Sequence, residues 1–75
     1  MSGAAVSAPA PGDPITAVPQ MMALPAGSVI VFTSPKGRGA AIKLTDGTWE
    51  ATGIQGSMYD GLLLLEITGV RLLSL

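Results

Sequence analysis

The sequence contains neither cysteine nor histidine. Without cysteine it has no disulfide framework, no reactive thiol and no thiolate metal site. Without histidine it lacks the commonest transition-metal ligand and the commonest general base at neutral pH. We therefore expect no catalytic residues, no metal site and no cofactor.

The five carboxylates do not alter this expectation. Acid–base catalysis needs two carboxylates that converge in environments which separate their pKa values. Asp46 and Asp60 precede glycines, as turn residues often do, and Glu50 and Glu66 have expected cross-strand partners. The serines have no histidine to activate them as nucleophiles. The sequence therefore favours a non-enzymatic protein.

Charge is also scarce, because the chain has four basic residues, five acidic residues and a formal net charge of −1. A surface that binds nucleic acid needs several clustered cations, so we expect no nucleic-acid partner. Prolines interrupt the apolar stretches near the N-terminus, and the leucine run at residues 62–65 is too short to span a bilayer. We therefore expect neither a secretion signal nor a membrane partner.

Residues 1–23 are rich in alanine, proline, serine and glycine, and Asp13 carries their only side-chain charge. They lack helical or strand periodicity, so we predict an extended arm that precedes a small β-module at residues 24–75. Two interpretations of the arm remain open. It is a disordered leader without a specific role, or it orders on a neighbouring subunit. The second interpretation makes these apolar arm residues partner contacts: Ile15, Val18, Met21 and Met22.

The β-branched run at residues 28–33 predicts a strand that is buried on both faces. A turn-forming loop follows at residues 34–39. Its two cations, Lys36 and Arg38, are either solvated turn residues or a secondary contact for a phosphate or for an acidic patch on a partner.

The clearest local signal is Asp46-Gly47, which predicts a two-residue type I′ hairpin. Counting outwards from this turn pairs Leu44 with Trp49 on one face and Lys43 with Glu50 on the other. Trp49 is therefore interpreted as a core residue, with a secondary partner contact as the alternative.

Thr68-Gly69 predicts a second hairpin, which pairs residues 62–67 with residues 70–75 and places Glu66 opposite Arg71. Both faces of this hairpin are apolar, and a module of this size covers only one of them. We expect the other face to be a subunit interface formed by Leu62, Leu64, Leu73 and Leu75. The alternatives are a tightly curled barrel that buries both faces itself, or a helical start to the run at residues 62–66.

Five short strands with these connections predict an all-β fold, either a small five-stranded SH3-like barrel or a sandwich of hairpins, with an extended N-terminal arm. About fifty residues form the module, which is near the lower limit for a chain that folds alone without disulfides or metal. Low charge and a hydrophobic fraction of 48% point the same way. We therefore expect partners that are protein subunits, in a homo-oligomer or a larger assembly.

Residues 24–31 (LPAGSVIV), followed by residues 46–49 (DGTW), resemble the opening of many small β-proteins encoded by bacteriophages of high-GC actinobacteria. The composition, rich in alanine, glycine and proline and poor in lysine, is similar as well. The resemblance implies a virion component, such as a capsid decoration or head–tail protein, found in the virion or in the host cytoplasm during assembly. It equally implies, as the alternative, a small accessory protein that binds and inhibits or redirects a host protein.

Overall fold

The computed structural model describes residues 9–75, and residues 1–8 lie outside the described part. The elements, in chain order, are α1 (Val18–Met22), β1 (Val29–Ser34), β2 (Gly37–Lys43), β3 (Trp49–Ala51), β4 (Ser57–Met58), α2 (Asp60–Glu66) and β5 (Thr68–Ser74). The strands form one antiparallel sheet in the order β4-β3-β2-β1-β5. The prediction of a mainly β fold with five strands is confirmed. The sheet is open rather than closed into a barrel, and the SH3-like likeness stays a prediction.

The two helices lie on the same side of the sheet and bury that side. Ile30 and Phe32 of β1 are buried, whereas Val29 and Val31 between them are only half-buried. The expectation that β1 is buried on both faces is therefore wrong, because the second layer of the fold covers one face alone. The core contains these side chains: Ile15, Met21, Leu24, Ile30, Phe32, Ala41, Trp49, Leu63, Ile67, Val70 and Leu72.

The turn between β2 and β3 differs from the predicted type I′ turn. That turn needs positive φ at both central residues, but only Gly47 has it, at φ +87°. The amide of Gly47 instead donates to the carbonyl of Leu44 at 3.0 Å, and the amide of Leu44 donates to the carbonyl of Thr48 at 2.7 Å. The loop thus holds three residues rather than two, as in a type I turn followed by a glycine bulge.

Asp46 explains why this loop is preferred. Its carboxylate accepts hydrogen bonds from the amide of Thr48 at 3.0 Å and from the hydroxyl of Thr48 at 2.6 Å. These bonds favour the ionised carboxylate, so they lower the pKa of Asp46 below its ordinary value. The side chain thereby holds its own main chain in the turn, which is a common role of aspartate in loops.

The extra loop residue moves the register of the hairpin by one. Lys43 pairs with Trp49, and Ile42 pairs with Glu50. A one-residue slip exchanges the two faces of a strand, so Lys43 lies on the core side with Trp49, and no Lys43–Glu50 pair forms. The predicted pairing of Leu44 with Trp49 is wrong for the same reason, although the prediction that Trp49 is core is confirmed.

The predicted C-terminal hairpin is wrong, and the helical alternative for residues 62–66 is the one observed. Asp60 occupies the first turn of α2, where a negative charge is favourable, and the leucines that follow are good helix formers. β-Branched residues return at Ile67, after which the chain forms β5. Thr68-Gly69 therefore lies in a strand rather than in a turn, and Arg71 pairs with Val31 of β1 instead of Glu66.

Part of the expected arm belongs to the folded unit. The segment at residues 12–15 runs antiparallel to β5, with the amide of Gly12 donating to Leu72 at 2.8 Å and that of Ile15 to Val70 at 2.8 Å. Ile15 and Met21 are buried in the core. The expected boundary at residue 23 therefore does not separate an extended arm from a module within residues 9–75, because these side chains fill space that the sheet alone leaves open.

Gly39 is a site where a single methyl group should be costly. It pairs with Phe32, and a Cβ at residue 39 would lie 2.9 Å from two ring atoms of Phe32 and 3.2 Å from Cβ of Thr52. Because the ring is buried, we expect Gly39→Ala to lower the free energy of unfolding by about 1–3 kcal/mol, as overpacking does. Urea denaturation measures this. The matched control is Ala40→Gly, whose effect should stay near 1 kcal/mol or below, and equal stability of G39A and the parent chain would contradict the packing.

Candidate interaction surfaces

The side of the sheet that faces away from the helices is apolar and lacks a covering element within residues 9–75. We term it the open face. Its centre consists of side chains from the two longest-paired strands, Val29 and Val31 of β1 with Ala40 and Ile42 of β2. The two valines and Ala40 are half-buried by their neighbours, and Ile42 is 43% exposed. A contiguous apolar surface of this kind is typical of an interaction site.

The open face contains a shallow groove of about 550 Å³. Val29, Ala40 and Ile42 line it, together with Leu44 and Ile54 from the connections beside β3. Small-molecule sites are usually deep enough to bury most of their ligand. The shallow shape of this groove therefore fits a protuberance on another protein better than it fits a small molecule.

Charges stand at opposite borders of the open face. Glu50 of β3 is exposed beside Ile42 and lines the groove. At the other border, Arg71 of β5 is paired with Val31, and Arg71 and Arg38 line a second depression of about 510 Å³. The face is therefore acidic at one side, apolar in the middle and basic at the other side.

A second apolar surface lies on the helical side of the molecule. Tyr59, which immediately precedes α2, is followed at three-residue spacing by Leu62 and Leu65 within the helix, so the three share one side. Leu65 is 81% exposed and Tyr59 is 70% exposed, while Leu63 of the same helix is fully buried. We term these three residues, with the exposed Met22 of α1, the helix patch.

The structure separates the residues that the sequence predicts as partner contacts. Ile15 and Met21 are core residues of the chain itself, and Val18 and Leu64 are half-buried. Met22 and Leu62 are exposed in the helix patch, and Leu73 and Leu75 are exposed at the end of β5. The four arm residues are thus divided between the core and the surface, and the four leucines between α2 and the end of β5.

Lys36 and Arg38 are exposed, as a secondary contact requires. The loop predicted at residues 34–39 is shorter, because Ser34 pairs with Gly37 and Arg38 already lies in β2. Lys36 donates to the carbonyl of Gly53 at 3.4 Å, whereas Arg38 points to the open face. Trp49 is fully buried and is not available to a partner.

Sequence reasoning missed the open face. Within residues 29–33, buried side chains alternate with half-buried or exposed ones, but all five residues are apolar or β-branched, so the sequence gives no signal of the alternation. Ile42 is affected by the same register error: counting from a two-residue turn places it on the side of Trp49, whereas it lies on the open face beside Glu50. The correct register follows only from the three-residue loop, which the hydrogen bond from the Thr48 amide to Asp46 and the positive φ of Gly47 define.

Both edges of the sheet are protected against strand addition. Residues 12–15 cover β5, and Pro14 in that segment has no amide to offer a further strand. At the other edge, β4 is only two residues long. A partner is thus expected to pack on a face of the sheet rather than to extend it.

Within residues 9–75 the structure shows no group of three or more acidic side chains placed to hold a metal ion. The same part of the chain contains no helix with the length and apolar character needed to cross a membrane. No family model, curated protein or solved structure was found to match the chain. Its function must therefore be argued from its own surfaces.

Proposed function

We propose that this chain is a non-enzymatic structural subunit of a multi-chain assembly, which uses the open face as its main contact with another protein chain. The observation that carries the proposal is the apolar centre of the open face, where Val29, Val31, Ala40 and Ile42 face solvent in the isolated chain. Covering a large apolar side chain contributes about 1.5–3 kcal/mol.

The helix patch supports an assembly rather than a single pairing. It lies on the helical layer, on the other side of the molecule from the open face, and its leucines are more exposed than Ile42. A chain with apolar surfaces on two opposite sides can contact two neighbours at once, as a subunit within a repeating structure does. The protected sheet edges agree, since they limit uncontrolled strand addition between subunits.

The kind of assembly is taken from the resemblance to small phage β-proteins. We propose a bacteriophage virion component, such as a capsid decoration or head–tail protein. The second candidate is a phage accessory protein that binds one host protein and inhibits or redirects it. The two opposite apolar surfaces favour the first candidate, because an adaptor with a single partner needs only one of them.

Two matched substitutions test this proposal. Ile42→Lys alters the open face, Leu65→Lys alters the helix patch, and Ala26→Lys adds the same charge at an exposed loop residue. We expect I42K and L65K each to weaken recovery of the chain in complexes with other subunits, by on the order of thirtyfold in dissociation constant for a loss of about 2 kcal/mol. A26K should assemble like the parent chain.

Native mass spectrometry of the purified complexes measures the assembly, and thermal unfolding checks that each variant keeps its fold. If I42K assembles as well as the parent chain, the open face is not the contact. If I42K fails while L65K has no effect, the single-partner candidate is favoured over the repeating assembly.

A further inference from the structure

We infer that the partner on the open face is a second copy of this chain, related by a two-fold axis that places Glu50 of each copy beside Arg71 of the other. This inference rests on the proposed function, which requires the open face to be a contact surface. It goes further by naming the occupant and the charge pairs that align it.

The positions of the two charges carry the argument. Glu50 pairs with Ile42, Ile42 with Val29, and Val31 with Arg71. Glu50 and Arg71 therefore lie on the same face, three strands apart across the sheet and two residues apart along the strand direction. These two offsets correspond to a separation of about 16 Å. Their midpoint falls among the four central side chains of the open face, Val29, Val31, Ala40 and Ile42.

A two-fold contact between identical faces brings each residue opposite its own symmetry mate or opposite one fixed other residue. When the axis lies in the plane of the contact, crosses the apolar centre and is perpendicular to the line from Glu50 to Arg71, the acidic border of one copy meets the basic border of the other, and this happens twice. The face is therefore complementary to itself in charge as well as in polarity. Pairing Glu50 with Arg38 instead would move the axis away from this centre, towards β3.

The protected edges of the sheet disfavour self-association by strand pairing. Two copies cannot readily pair through the edges of their sheets, because Pro14 and its neighbours cover β5 and β4 is too short. Face-to-face packing of two sheets requires neither edge, and it covers apolar side chains on both copies.

Charge reversal tests this arrangement. Glu50→Arg alone creates two Arg–Arg contacts in the dimer, and Arg71→Glu alone creates two Glu–Glu contacts. Both side chains are exposed, so neither change should disturb the fold. We expect each single variant to weaken self-association by on the order of a hundredfold, since like charges at an interface cost several kcal/mol.

Recovery of dimer formation in combined variants distinguishes a direct pairing of Glu50 with Arg71 from a general effect of charge. Mixing E50R with R71E should give a mixed dimer with two Arg–Glu pairs, and the double variant E50R/R71E should dimerise with itself. Lys36→Glu, a charge reversal at the β1–β2 turn beyond the open face, is the control and should associate like the parent chain. Sedimentation equilibrium of the full chain measures all six samples, the parent chain included.

The outcomes distinguish this inference from the proposed function. Loss in the single variants with recovery in the mixture supports the second copy and its alignment. If the parent chain stays monomeric, or if the single variants associate as it does, the two-fold pairing is overturned. In either case the proposed function still depends on the separate comparison of I42K with A26K in complexes with other subunits.

Discussion

Replacing Trp49 with alanine is expected to lower the free energy of unfolding by about 3–5 kcal/mol, the largest effect of any single substitution considered for this chain. The indole is fully buried, and its Nε1–H donates to Oδ1 of Asp60 at 2.6 Å. Trp49 therefore joins the short strand β3 to the first turn of α2 as well as filling the core. A chain of this length has a total stability of roughly 4–11 kcal/mol, so the loss in W49A is a large share of the total.

Urea denaturation followed by far-ultraviolet circular dichroism measures this effect without relying on the fluorescence of the deleted indole. Trp49→Phe keeps most of the apolar volume and removes the donor to Asp60, so we expect a loss of about 1–2 kcal/mol. Tyr59→Ala removes an aromatic ring that is 70% exposed and should change stability by about 0.5 kcal/mol or less. Equal effects of W49A and Y59A would contradict the core described above.

Replacing Lys43 with alanine is expected to cost about 2–3 kcal/mol, although lysine is usually a surface residue. Its ammonium donates to the carbonyl of Met21 at 3.0 Å and to that of Met22 at 3.4 Å, at the C-terminal end of α1. The same ammonium lies 5.8 Å from the centre of the Trp49 ring. Lys43 thus attaches the helix of the N-terminal segment to the sheet, and its alkyl chain contributes packing next to the core.

This substitution also distinguishes the observed register from the predicted one. If Lys43 faced solvent opposite Glu50, both K43A and Glu50→Ala would remove the same exposed ion pair and cost well under about 1 kcal/mol each. In the observed register only K43A is costly, and E50A should change monomer stability by about 0.5 kcal/mol or less. Denaturation at low protein concentration, where association is weak, gives both values. Similar small losses for the two variants would contradict the buried position of Lys43.

The parts of the fold that could be predicted were those fixed by local chemistry. The strand β1 follows from its β-branched residues, and the turns at Pro35-Lys36 and near Asp46-Gly47 follow from turn-forming residues. The buried position of Trp49 also follows from its size and its isolation in the sequence.

The predictions that were wrong concern parts of the fold that depend on contacts between residues distant in the sequence. The run at residues 62–66 is compatible with strand or helix, and the choice is made where Leu63 enters the core and Asp60 receives the Trp49 donor. Ile15 and Met21 look like members of an unstructured segment until the sheet offers them an unfilled surface. Lys43 is predicted to pair with Glu50 across the strand. The extra loop residue instead turns the Lys43 side chain to the other face, where it donates to a main-chain carbonyl.

The same dependence explains why the open face was missed and the helix patch was found only in part. Leu62 is exposed, as the predicted contact requires, but it lies in α2 rather than in a strand, and the more exposed Leu65 is not among the predicted contacts. A surface on a sheet is defined by the register of three or more strands. A register error of one residue in one strand, as in the strand that contains Ile42, is enough to make the predicted surface wrong.

The central claim is that association of this chain covers its open face, and methyl relaxation by a soluble paramagnetic probe tests it most directly. We expect strong relaxation of the methyl groups of Val29, Val31 and Ile42 in dilute solution and protection of these groups as the chain associates. The methyl group of Ala26, which is exposed in the loop before β1, should remain relaxed throughout. Equal relaxation of all four residues in the associated and dilute states would contradict the claim.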